Sequence, residues 1–232
     1  MKSIVWSIIL VNLGLVTAQA GDAPPQGPIH VVEYVDVLAD AAPQATRLLE
    51  QYRDVSRREA GAQVIDLYKQ KGRVNGFALT EVWQDNAAYE RHSKAAATAQ
   101  LADALKILQL APWDRRAHTE YAPNVAASAN AVAPPNAVTV LVHVDVPPPF
   151  LADCERILSS YSEGSRRDAG LLHFAIFRAF PPRINHFTVV ETWENIAALE
   201  AHRKAAHTRA YREDLAPKLG ALYDERMYQK IN

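Results

Sequence analysis

Two indole–imidazole pairs recur at one spacing in this 232-residue chain: Trp83 with His92, and Trp193 with His202. They sit in matching frames. Glu81-Val-Trp83-Gln-Asp-Asn-Ala-Ala-Tyr-Glu90-Arg-His92-Ser-Lys94-Ala-Ala96 is answered by Glu191-Thr-Trp193-Glu-Asn-Ile-Ala-Ala-Leu-Glu200-Ala-His202-Arg-Lys204-Ala-Ala206. An indole at a strand end can wall a pocket and donate one hydrogen bond to a ligand, or it can plug a sheet–helix junction as core. A histidine on the following helix can carry a proton near neutral pH, or it can be a structural group bonded to a carbonyl or to Glu81 or Glu191.

The second half holds imidazoles that the first lacks: His143, His173, His186 and His207. If Ala179 pairs with Ile184 around Pro181-Pro182, then His173 and His186 share a face, and His143 on the neighbouring strand joins them. Three such rings suit a metal site, a base with hydrogen-bonding support, or a polar pocket at an interface between the halves. A one-residue slip in register would send any of them to the other face. The expected catalytic set is therefore His202, Trp193 and His143. The expected substrate-binding set is His173, His186, Phe187 and Tyr161, with Trp83 and His92 from the first half. The second half is expected to be the active one, and no metal is expected. Ser56-Arg57-Arg58 and Ser165-Arg166-Arg167 read as solvated charges at helix C-termini. There is no Gly-rich phosphate loop, Cys-x-x-Cys pair, His-Glu-x-x-His or nucleophile elbow, so hydrolase and nucleotide-dependent chemistry have no support.

The elements that position these residues come as an internal repeat. At an offset of 109, Val35-Asp36-Val37 matches Val144-Asp145-Val146, Tyr52 matches Tyr161, and Ser56-Arg-Arg-Glu-Ala-Gly61 matches Ser165-Arg-Arg-Asp-Ala-Gly170. At an offset of 110, Asn75-x-Phe77 matches Asn185-x-Phe187, and Asp114-x-Arg116 matches Asp224-x-Arg226. Alternation and helical spacing give each half the order β-α-β-β-α-β, an α+β ferredoxin-like unit with helices on one face of an antiparallel sheet. One face of the strand from Val138 to Val146 is all valine, while Thr139, Leu141, His143 and Asp145 form the other. Such a sheet needs cover on both sides, so the two sheets are expected to pack face to face as a pseudo-dimeric α/β barrel. The expected division is a signal at 1–20, a linker at 21–28, domains at 29–121 and 138–232, and an Ala-, Asn- and Pro-rich linker at 122–137.

Lys2, the apolar run Ile4 to Val16 and Ala18-Gln-Ala20 read as a secretory signal, which predicts export to a periplasm or the medium and no membrane attachment after its removal. The run is short for a bilayer span. A net charge of −1 and scattered basic residues give no reason to expect nucleic acid or anionic membrane as a partner. Cys154 is the only cysteine, which excludes an intramolecular disulfide, and it reads as a buried apolar helix position.

Arg58-Glu-Ala-Gly61 before the second strand, Glu81-x-Trp83 closing the third, and His92 on the next helix, with their counterparts in the second half, resemble the antibiotic biosynthesis monooxygenase family. The resemblance covers Ile29 to Tyr121 and Val138 to about Ile231. It implies a dimeric α/β barrel fold, here with both domains in one chain and further self-association left open. It also implies cofactor-independent oxidation of a small apolar aromatic ligand such as a quinol, phenol or polyketide, which supplies electrons to dioxygen. The alternative is a non-catalytic binding or scaffold module of the same fold. The haem-degrading branch pairs a first-strand Asn with a helical Trp and a His. Here the first strands offer Tyr34 and His143, and His92 or His202 holds the Trp position, which disfavours haem degradation.

Overall fold

The computed structural model describes residues 25–125 and 134–232, with backbone only at 123–125. The expected signal at 1–20 and most of the expected linker lie outside the described residues. The first half runs β1 (Ile29–Asp36), α1 (Ala42–Ser56), β2 (Ala62–Gln70), β3 (Gly76–Trp83), α2 (Asn86–Ser93), α3 (Ala96–Leu105) and β4 (Asp114–Val125). The second repeats it with β5 (Val138–Asp145), α4 (Leu151–Ser165), β6 (Leu171–Ala179), β7 (His186–Trp193), α5 (Ile196–Lys204), α6 (Ala206–Leu215) and β8 (Asp224–Ile231).

The eight strands close into one antiparallel barrel in the order β1-β3-β2-β8-β5-β7-β6-β4, with β4 returning to β1. The closure is by exchange. β4 pairs with β1 of its own half and with β6 of the other, while β8 pairs with β5 and crosses to β2. The two sheets are thus joined edge to edge as well as facing one another. β4 continues past Tyr121, with Ala122 opposite Ile176 and Val125 opposite Phe174, so strand occupies the start of the segment read as linker.

The alternation of each strand sorts the core into layers. Val138, Val140, Val142 and Val144 meet the helices together with Cys154, Leu158 and Tyr161, and Val35, Leu67, Phe77 and Leu79 meet α1 and α3 likewise. Val32, Tyr34, Tyr68, Leu141, Ala175, Phe177, Val190 and Tyr228 fill the barrel interior. The repeated residues each have a visible task. Asn75 Nδ2 and Asn185 Nδ2 donate to the carbonyls of Val37 and Val146, both at 2.6 Å, and fasten the end of the first strand to the third. Asp85 and Asn195 cap α2 and α5 through the amides of Ala88 and Ala198. Gly61 and Gly170 have φ of +92° and +80°, and a Cβ there would meet the methyls of Ala88 and Ala198 at 2.5 and 2.6 Å. That close approach seats each capped helix against the turn after the first helix.

Candidate functional site

On the helix side of the sheet, each half carries the same buried polar cluster. In the first, the Tyr52 hydroxyl lies 2.7 Å from His92 Nε2 and 3.3 Å from Glu81 Oε1, Trp83 Nε1 donates to Glu81 Oε2 at 2.8 Å, and His92 Nδ1 lies 3.1 Å from Glu59 Oε2. In the second, Tyr161 lies 2.8 Å from His202 Nε2 and 2.5 Å from Glu191 Oε1, Trp193 Nε1 donates to Glu191 at 3.1 Å, and His202 Nδ1 lies 2.7 Å from Asp168 Oδ2. The rings are packed, with centroids 4.2 Å apart for Trp83 and His92 and 4.5 Å for Trp193 and His202. Burial raises the Glu191 carboxyl and drives the Tyr161 phenol far above its ordinary range. Burial also disfavours a charge on His92, but hydrogen bonding to Glu81 and the charges of Glu81 and Glu59 overcome it, and its pKa is raised. Trp193 and His202 are 0% and 2% exposed, so no substrate reaches this cluster as it stands.

The barrel interior is different in kind. Its two ends are unlike. At one, Arg116 and Arg226 lie over the Tyr34 ring at 5.4 and 5.0 Å and pair with Asp114 and Asp224, so the repeated Asp-x-Arg holds a guanidinium against that ring from each half. At the other end a cavity of about 470 Å³ opens between His30, Tyr68, Thr80, Thr139, His173, Phe177, Val190 and Thr192. His30 stacks on Phe177 with centroids 4.2 Å apart, and neither of its nitrogens has a hydrogen-bond partner although it is only 5% exposed. Deeper in, Thr188 Oγ1 sits between His118 Nε2 at 3.1 Å and His143 Nδ1 at 3.2 Å. Burial pushes His30 and His143 down to about 4 and His118 to about 3, so all three rings are neutral at physiological pH. A cavity of this size with apolar walls and a few convergent polar groups is the ordinary form of a small-molecule site.

The antibiotic biosynthesis monooxygenase family matches the chain twice, over residues 28–104 and 137–214. The chain belongs to that family. A candidate monooxygenase from Fusobacterium nucleatum subsp. nucleatum has the same fold, with a TM-score of 0.74 at 16% identity over 89% of this chain and 93% of its own. An anthrone oxidase-like protein gives 0.71 at 11% identity, over 89% and 92%. A candidate monooxygenase from Lactobacillus acidophilus NCFM gives 0.63 at 15% identity, over 88% and 94%. At these identities the likeness is one of fold. No curated protein sequence matches the chain.

Within this family fold, the residues expected to form one site fall on two faces of the sheet. His202, Trp193 and Tyr161 share the helix-side cluster of the second half, and Trp83 and His92 share that of the first. Phe187 also faces the helices, edge-on to Tyr121. His143, His173 and His186 point into the barrel, as one face but not as one group. Arg178 pairs with Phe187, which is two residues away from the register that would match Ala179 with Ile184. An even shift keeps the face and moves the rings apart: His173 is opposite Thr192 at the cavity end, while His186 lies 3.4 Å from Asp145 at the other. The cavity draws on both halves, not on the second alone. His30, His118, Glu120 and Asp168 are functional candidates that spacing does not reveal. His30 and His118 become neighbours only when β1 pairs with β4, and Asp168 meets His202 only when α5 folds back over the end of α4.

Proposed function

We propose that this family member is a cofactor-independent monooxygenase, exported from the cell, that oxidises a small apolar aromatic quinol, phenol or anthrone-like molecule in the barrel cavity. The observation that carries the reading is His30: a neutral imidazole with two unbonded nitrogens on the wall of an apolar cavity. The bound hydroxyl donates to one nitrogen, and Phe177 and Val190 supply apolar surface for the ring system. Loss of the substrate proton to His30 leaves an electron-rich aromatic that reduces dioxygen. One oxygen atom enters the substrate, as in CH₂ becoming C=O, and the other leaves as water. Glu120 at the cavity mouth favours the protonated ring electrostatically. Oxygen uptake with a panel of quinols and anthrones tests the reading. Turnover by the wild type should fall by about 10²–10⁴ in His30→Leu with the fold intact by circular dichroism.

A second reading, a binding module without chemistry, is favoured by the sealed packing of the Trp, His, Tyr and Glu clusters. Saturable binding of the same panel without oxygen uptake would establish it in place of the first.

A further inference from the structure

We propose that Asp168, His202 and His207 form a binding site for one divalent transition-metal ion of the zinc type, in the second half of the chain only. The site lies on the helix side of the sheet, and the oxidation proposed for the barrel cavity does not draw on it. Among the described residues this is the one group of three ligand-type side chains whose donor atoms lie within 4.8 Å of one another. Asp168 Oδ2 is 2.7 Å from His202 Nδ1 and 3.1 Å from His207 Nε2. A tetrahedral centre with bonds near 2.0–2.1 Å spaces its ligand atoms by roughly 3.3 Å, so the two separations from Asp168 need only widen slightly to admit the ion.

Three further observations separate this group from an ordinary ion pair. The first is that His207 is superfluous to one. A proton shared between His202 Nδ1 and Asp168 satisfies both, yet His207 Nε2 is brought to the same carboxylate oxygen without an aligned hydrogen bond. The second is that the backbone is shaped for this ring. Gly164 stands in the last turn of α4, where glycine costs about 1 kcal/mol relative to alanine, and a Cβ there would meet the His207 ring at 2.5 Å. The repeat supplies the comparison: Glu59 and His92 in the first half match Asp168 and His202, but Ala97 stands for His207 and Val55 for Gly164. The third ligand and the space for it occur together, and only once.

The third observation is the support behind His202. Metal-bound imidazoles are held by a hydrogen bond from the far nitrogen, which fixes the tautomer. Here Nε2 is 2.8 Å from the Tyr161 hydroxyl, which donates to Glu191 at 2.5 Å, and Glu191 is held in turn by Trp193. With Nε2–H donating into that chain, the proton that Nδ1 shares with Asp168 is the one the ion displaces to solvent on binding. Asp168 and His207 have side chains 21% and 22% exposed, so the group stands at the outer edge of the cluster. Two nitrogens and one carboxylate oxygen suit Zn²⁺ or Co²⁺ better than Ca²⁺ or Mg²⁺, which prefer oxygen ligands.

The test is calorimetric titration of the full chain with Zn²⁺ alone, repeated with Co²⁺ so that the intense visible bands of a four-coordinate site can be read. The expected result is one ion per chain and cobalt bands of that type. In His207→Ala and in Asp168→Asn, each folded by circular dichroism, affinity should fall by at least roughly 100-fold, while Glu59→Gln leaves it unchanged. No zinc bound at micromolar concentrations, or equal binding by wild type and His207→Ala, would overturn the proposal. Two ions per chain, one of them lost in Glu59→Gln, would overturn its restriction to the second half.

Discussion

The Tyr161 hydroxyl stands 2.5 Å from Glu191, whereas its counterpart Tyr52 stands 3.3 Å from Glu81. Removing the second-half hydroxyl strips the closer contact and leaves the buried His202 Nε2 with only the long 3.4 Å contact to Thr208 Oγ1 in its place. A buried polar group left unsatisfied costs about 1–3 kcal/mol. Tyr161→Phe should therefore lower the unfolding free energy by that amount, and by more than Tyr52→Phe does, in parallel urea titrations. Equal losses would show that the shorter contact carries no additional energy.

Acid should weaken the fold through the barrel interior. His30, His118 and His143 hold pKa values of about 4, 3 and 4 against 6.5 for the free ring, so over that window the unfolded chain binds protons that the folded chain refuses. Stability then falls as pH falls from 6.5 towards 4, by about 1.4 kcal/mol per pH unit per ring. Glu33 and Glu191, raised by burial, pull the opposite way. A comparison of wild type with His118→Gln isolates one ring: the urea midpoint of the variant should decline less steeply between pH 6.5 and 4. Identical slopes would mean that His118 is protonated in the folded state.

Exchange of β4 and β8 leaves neither half complete. Residues 138–232 alone would present unpaired edges on β6 and β8, the two strands that pair with β4 and β2 in the whole chain. Such edges recruit another copy, so this fragment should sediment as a dimer at micromolar concentrations. A stable, folded monomer would contradict the exchange.

The fold was legible because duplication writes each element twice: the capping residues, the turn glycines and the Asp-x-Arg pairs all recur at fixed offsets, and each has a local geometric reason. The site was less legible, because barrel closure, not spacing, decides which rings meet. His173 and His186 lie on the face that period-two alternation assigns them, yet they end at opposite mouths of the barrel. Trp193 and His202 do adjoin as their spacing suggested, but the indole nitrogen is engaged by Glu191 and turned away from the cavity. Gly164 shows the limit most plainly, since its departure from Val55 has meaning only beside His207.

Tyr34 and His143 hold equivalent places in the two halves, and their rings meet edge to face at 5.3 Å inside the barrel. Two identical chains related by a twofold axis would have to set like against like there, phenol to phenol or imidazole to imidazole. Fusing the copies lifts that requirement. One chain can make its chamber chemically handed, so that a planar guest meets different groups on its two sides and has one preferred way round.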